Sequence, residues 1–399
     1  MSPANAQEQL GRTVAETSIR YRWQVIFATV VVSLGIGYGA SSLRFASDYR
    51  VFFGPNNPDF VANELAQATF GKPDNLVFVV IDPDGDVYTK DTLTAVHRLT
   101  EASWRLPYIS RVDSLTNFQN TVGDRDDLIV EDLVYDPNAL TALRIAAIRQ
   151  VAKTEPLING FVVSRDGAAT AVNAVVQIPG DVPNASSSVA EKAREIRAEI
   201  LQDHPDLEIH LTGVAALSAA FEQAGIKDSS TLIPLVYLLI LVVMFVTLRS
   251  VSAVVSSLML IALSTIVGMG VGGFSGVALT PISLSAPTII LTIAVADAIH
   301  LIAGVRTAMR DGLDKRDAIV ASTALNFTPI LITSVTTIVG FLTLNFSDSP
   351  PFHHLGNMSA AGIAVAWLLS VTFLPALLVS LPLRFAPRPK RGGLPEFME

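Results

Sequence analysis

Asp297 is the residue in this sequence best placed to do chemistry. It is the single Asp, Glu, Lys or Arg between Ser250 and Val305, set in Ala294-Val295-Ala296-Asp297-Ala298-Ile299-His300. An ionisable side chain in the middle of so apolar a run points to a proton or ion relay inside a membrane. A carboxyl in hydrocarbon is penalised in its charged form, which suits a group that takes up and releases protons. His300 follows at i+3, a spacing that turns both side chains to one helix face. Further along, Thr333, Ser334, Thr336 and Thr337 offer hydroxyls that could bond the carboxyl or hold a chain of water. The flanking alanines let a neighbouring helix approach closely. The alternative is structural: an Asp satisfied by those hydroxyls, with His300 merely near a helix end and the Ser/Thr cluster acting as helix–helix glue.

Other chemistry finds little support. The chain has no Cys, which excludes disulfides, thiolate metal sites and thiol nucleophiles. His353-His354 could suggest a metal, but adjacent side chains splay apart and no third ligand is evident, so a solvated loop is expected. A phosphate-binding Gly-Lys-Ser/Thr loop is missing, as are Gly-x-Ser-x-Gly and His-Glu-x-x-His. No catalytic residue, cofactor or metal is therefore assigned, and an enzyme is not expected. Asn-x-Ser/Thr triplets at Asn184, Asn326, Asn345 and Asn357 read as chance, since two fall in or beside apolar spans.

The elements that must hold Asp297 follow from where charge is excluded. Of 399 residues, 50% are hydrophobic and 16% charged, well below the roughly 25% charged residues of ordinary soluble domains. Uncharged stretches run over Trp23–Leu43, Ser229–Leu248, Ala318–Ser347 and Ser349–Leu383, and Gly272, Gly273, Gly276 and Pro281 divide Ser250–Val305 in two. With about 20 apolar residues needed per crossing, six spans are predicted: 23–43, 230–248, 252–272, 284–305, 325–346 and 357–383. The first is too long for a cleaved signal segment.

Charge also separates the regions. Residues 44–228 carry 16 Lys/Arg and 27 Asp/Glu, a net of −11, while the remainder has 12 and 9, a net of +3. Nucleic-acid binding would need a basic patch, so no nucleic acid is expected as a partner. Arg12, Arg20 and Arg22, then Arg249, then Arg306, Arg310, Lys315 and Arg316, then Arg384, Arg388, Lys390 and Arg391 all fall on one side of six alternating spans. Positive residues favour the cytoplasm, so both termini are expected there. The organisation expected is a cytoplasmic N-terminus (1–22), a first span (23–43), an extracytoplasmic α+β domain (44–228), five spans (229–383) and a basic tail or linker (384–399).

Within the acidic domain, Asn75–Ile81 reads as a strand closed by Asp82-Pro83-Asp84-Gly85, and Thr89–Trp104 as a helix. Ile109–Leu115 follows as a strand, 119–137 as an irregular acidic stretch, and 138–152 as a short helix. Gly160–Ser164 and Ala168–Ile178 read as a hairpin about Arg165-Asp166-Gly167, Ser186–Gln202 as a helix and Leu207–Leu211 as a strand. Two βαβ-like units of this kind suggest a ferredoxin-like sandwich with an added hairpin or insertion. From Val214 a helix is expected to run straight into the second span.

One span, a large outer domain and five further spans resemble half of a resistance–nodulation–division (RND) superfamily exporter. Phe53-Gly54-Pro55-Asn56-Asn57-Pro58 with Phe70-Gly71 resembles the opening of the outer domain in its hydrophobe- and lipid-exporting, mycobacterial-large-protein and Patched-like branches. Ala294–Leu301 resembles the fourth-span motif. Thr333–Phe341 followed by Ser349-Pro350-Pro351 resembles the fifth span and exit loop. The resemblance implies export of hydrophobic or lipid-like molecules driven by proton flow past Asp297, in a cell (inner) membrane. It implies a sterol-sensing-type bundle for spans two to six, and membrane lipids, a second RND half or a homo-oligomer, and a periplasmic protein as partners. Many relatives place Tyr after the acid, whereas Ala298 stands here, and no second copy of the six-span unit is visible. Two rival readings are a lipid sensor on the same bundle and a protein-export accessory subunit.

Overall fold

The computed structural model describes residues 3–46, 49–70, 74–124, 127–179, 182 and 184–383. The basic run from Arg384 to Arg391 and Gly71 of the opening motif lie outside them. The chain divides into two compact units: a membrane unit of residues 1–46, 51–54 and 225–399, and a sheet domain of residues 47–50 and 55–224.

In chain order the N-terminal helices are α1 (Pro3–Arg20) and α2 (Arg22–Gly37), followed by the short strand β1 (Arg44–Phe45). The sheet domain then runs α3 (Pro58–Phe70), β2 (Asn75–Ile81), α4 (Lys90–Ser103), β3 (Ile109–Ser114), β4 (Gln119–Asp124), β5 (Asp127–Asp132), α5 (Ala142–Thr154), β6 (Ala169–Val176), α6 (Ala185–Asp203) and β7 (Glu208–Thr212). Next come α7 (Val214–Leu248), α8 (Val251–Phe274), β8 (Ala278–Leu279), α9 (Ala286–Arg310), α10 (Lys315–Leu342), α11 (Pro350–Val371) and α12 (Phe373–Ser380).

Four antiparallel strands of the sheet domain order as β3-β6-β2-β7. Alternation makes the sheet one-sided: Leu76, Phe78 and Val80 of β2 and Val172, Ala174 and Val176 of β6 are buried, as expected for period-two side chains. They meet Val96 and Leu99 of α4 and Val189, Ala193, Ile196 and Ile200 of α6 in one core. Thr89 caps α4 by accepting from the Thr92 amide, a bond typical of a helix N-terminus. Two sequence expectations change here. The acidic stretch 119–137 contains a separate hairpin, β4 paired with β5; its acidic residues obscured the short apolar run Leu128-Ile129-Val130. Residues 160–164 form only isolated bridges, such as Val163 with Thr170, and not a full strand.

Among the described residues, six helical segments are long and apolar enough to cross a membrane: 22–42, 214–248, 251–274, 283–310, 315–346 and 350–371. The helix α7 is continuous from Val214 to Leu248, as the sequence suggested. A turn with Gly276 at φ +69° separates α8 from α9, a backbone state that glycine adopts without strain. The last apolar run is not one span over 357–383. It begins at Pro350-Pro351, whose missing amide donors suit a first helical turn, and breaks at Thr372 before α12. His353 and His354 therefore sit in the opening turns of α11 and not in a solvated loop: His353 Nε2 lies 2.6 Å from the Ser347 carbonyl, and His354 is half-buried.

Close packing depends on small residues. A side chain at Gly273 would strike the Gly39 carbonyl, and one at Gly270 the Ile36 carbonyl, so α2 and α8 touch backbone to backbone, the kind of contact small residues permit between membrane helices. At the other end of α10, Lys315 Nζ donates to the carbonyls of Val379 and Leu381 at 2.7 and 2.6 Å. That satisfies carbonyls that the end of α12 leaves open.

Candidate functional site

The helix α9 carries the site. Pro287 stands in its first turn and Gly312, at φ +101°, just beyond its end. Between them Ala286, Ile290, Ala294, Asp297, Leu301 and Val305 are buried, a stripe with helical spacing. The helix packs against α8, α10 and α11, so that stripe is enclosed by the bundle.

Asp297 is 4% exposed. Its Oδ2 is buried and has no hydrogen-bond partner. A buried polar atom left unpaired costs on the order of 1–3 kcal/mol, and more for a charge, so this is an expensive place for a carboxyl that serves packing alone.

The residues expected to assist it are dispersed. His300 lies on the exposed side of α9, because a step of three residues turns the helix by about 300° and leaves the two side chains some 60° apart. That offset straddles the edge of the buried stripe. Thr333 Oγ1 donates to the Ile330 carbonyl at 2.9 Å, Thr336 Oγ1 to Ile332 at 2.9 Å and Thr337 Oγ1 to Thr333 at 2.7 Å. Those hydroxyls serve their own helix and do not donate to the carboxyl. Ser334 differs from them: it is buried and its Oγ has no partner.

What stands level with Asp297 follows from a contact between α9 and α10. Ser322 Oγ donates to the Leu301 carbonyl at 2.7 Å, and Gly304 sits against the same side chain. The two helices are antiparallel neighbours joined by residues 311–314. Stepping four residues back along α9 and four on along α10 brings Asp297 level with the region of Asn326. Asn326 Nδ2 donates to the Ser322 carbonyl at 2.9 Å. The sequence reading assigned no role at the site to Ser322 and Asn326; their signal was an i, i+4 polar pair inside an apolar run.

No group of three or more His, Asp or Glu side chains able to hold a metal occurs among the described residues. In the sheet domain, a cavity of about 560 Å³ is lined by residues that include Asn63, Gln67, Phe70, Asn75, Arg111 and Asn173. Asn75 Nδ2 donates to Asn173 Oδ1 at 2.9 Å and Arg111 pairs with Asp113 at 3.0 Å, so part of its lining is an organised polar surface.

The sequence is 22% identical to membrane protein MJ1562 of Methanocaldococcus jannaschii over 389 residues, 95% of this chain and 96% of that one. It is 25% identical to the sulfolipid-1 exporter MmpL8 of Mycobacterium tuberculosis over 233 residues, and 30% identical to MmpL10 of Mycobacterium leprae, named a probable transport protein, over 200. The aligned parts are 57% and 47% of this chain but only 21% and 20% of those two relatives. The chain thus spans about a fifth of the length of the MmpL proteins it matches. The model of the MMPL family matches residues 56–397. A match across the sheet domain, all of the later spans and Asp297 makes this chain a member of the MMPL family.

Proposed function

We propose that this multi-pass membrane protein is an RND-type exporter half-unit that uses proton flow through Asp297 to move lipid-like or hydrophobic molecules across or out of the cell membrane. The observation that carries the reading is a carboxyl enclosed by α8, α10 and α11 with an unpartnered oxygen. An acid so placed is best explained as a group that binds and releases a proton. The naming of MmpL8 as a sulfolipid-1 exporter supports a lipid as cargo. In this reading both termini are cytoplasmic, the membrane is the inner membrane, and α7 to α12 form a sterol-sensing-type bundle. The sheet domain is a ferredoxin-like, extracytoplasmic porter domain; its strand order β3-β6-β2-β7 with α4 and α6 on one face favours that assignment. The working assembly contains a second half or a second copy of this chain, with a periplasmic protein as a further partner. Asp297 acts as the relay acid, with Ser334 the cluster hydroxyl that bonds no carbonyl of its own helix and stays free for water.

The test is export of a panel of labelled lipids and hydrophobic drugs from energised vesicles holding the intact system. Export that collapses when the proton gradient is dissipated supports the proposal. Lipid binding that persists with no gradient-dependent movement would favour a sensor on the same bundle.

A further inference from the structure

Serine and threonine in this bundle normally bond their own helix. Ser256, Ser257 and Ser264 on α8, Thr323 on α10 and Ser370 on α11 each donate to a carbonyl four residues back at 2.8–3.0 Å. Ser322 bonds across to α9 instead, and among the described residues three buried hydroxyls of the bundle bond nothing: the oxygens of Thr265 on α8, Ser334 on α10 and Ser359 on α11 have no partner. Asp297 Oδ2 on α9 is the fourth such oxygen, so each of the four packed helices contributes one.

Their heights along the bundle form a series. A Cβ at Gly268 would lie 2.6 Å from Ile290 Cδ1, 3.0 Å from the Met358 carbonyl and 3.2 Å from Gly362 Cα, and one at Gly362 would strike Ile290. Gly268, Ile290 and Gly362 therefore share a level, with the isoleucine seated between two glycines. Thr265 is one turn from Gly268 on the face that also carries Gly272, which meets Met358. Ser359 is one turn from Gly362. Phe327 packs edge-on to Trp367 with ring centres 5.9 Å apart, and Gly356 sits against the Phe341 carbonyl. Counting between those contacts puts Ser334 opposite residues near 362. Asp297 lies seven residues from Ile290 on the same stripe, about 10 Å along the axis.

The three unpaired hydroxyls are thus staggered over about two helical turns, or some 9 Å. Ser359 lies nearest the end of the bundle that carries the β1–β8 pair, Ser334 near the level of Ile290, and Thr265 one turn further toward the carboxyl. Buried oxygens of this kind are usually satisfied by internal water, which needs two to four polar partners. We propose that Thr265, Ser334 and Ser359 line a water-holding passage from that end of the bundle toward Asp297, and that Ile290 is its apolar gate. The role of the passage as a proton route rests on the exporter reading above, but its existence does not.

The chain has no cysteine, so single thiols can be introduced without background. Ser334→Cys and Ser359→Cys, with Ser257→Cys and Ser370→Cys as controls, are treated with a membrane-impermeant methanethiosulfonate in vesicles of each orientation. Labelling after denaturation verifies that every thiol is intact. The proposal expects Ser334→Cys and Ser359→Cys to react from one side at least about tenfold faster than the controls. It also expects Ala294→Cys, between gate and carboxyl, to be inert until Ile290→Ala is added. Thiols at 334 and 359 as inert as the controls overturn the passage, even if gradient-driven export is intact. One-sided reactivity in a chain that exports nothing supports the passage while removing the exporter reading. Reactivity of Ala294→Cys with Ile290 in place overturns the gate.

Discussion

In the sheet domain Thr92 donates to Asp82 at 2.6 Å, Thr100 donates to Ser114 at 2.9 Å with Thr116 beside both, and His204 Nδ1 lies 2.8 Å from Asp91. In the membrane unit Asp297, Ser334, Ser359 and Thr265 hold buried oxygens with no partner. The contrast separates two uses of polarity. In the first region these polar side chains fix loop and strand geometry against a neighbour, and the buried atoms left over, such as Gln67 Nε2 and His204 Nε2, belong to side chains already held through another atom. In the second the four hydroxyl and carboxyl oxygens lie one on each of four packed helices, and the side chains of Thr265, Ser334 and Ser359 have no other polar atom to hold them. A packed domain gains from closing its polar networks; a conduit for protons keeps some open.

That difference can be tested by truncation. The largest effect should come from the sheet core: Phe78→Ala, at a fully buried site, should cost about 3–5 kcal/mol, read as faster amide exchange in β2. Thr92→Val should cost about 1–3 kcal/mol by stranding Asp82, measured in the same way. Ser359→Ala should leave thermal stability in detergent within about 0.5 kcal/mol or raise it, because it deletes an unsatisfied group and not a bond. A loss comparable to that of Thr92→Val would show that Ser359 has a structural partner, and the contrast between the two regions would fail.

The sequence exposed the membrane architecture because charge is excluded from hydrocarbon regardless of detail. The uncharged run from Trp23 reappears as α2 and its short extension, and Gly276 marks the turn before α9. The strand Asn75–Ile81 was legible because a β-rich apolar run ends at the turn Asp82-Pro83-Asp84-Gly85. Less legible was whatever depends on which face meets which neighbour. Spacing alone brought His300 toward Asp297, yet one lies outside the buried stripe and the other within it. Composition grouped Thr333, Ser334, Thr336 and Thr337, but only the helix register distinguishes the one buried hydroxyl from three that bond their own turn. Thr372 divides an apolar run that contains no charge to announce the break. The hairpin β4–β5 was masked by acidic residues, and Ser359 and Thr265 look ordinary until their missing partners are seen.

The most direct measurement is gradient-driven lipid export by Asp297→Asn in the intact system, with unfolding temperature recorded on the same preparation. The substitution keeps the shape and removes the titrating proton. The account predicts export at the level seen without a gradient, together with stability equal to or above that of the native chain. Export that stays gradient-driven in Asp297→Asn would contradict the account, and unfolding of the variant would instead make Asp297 a structural residue.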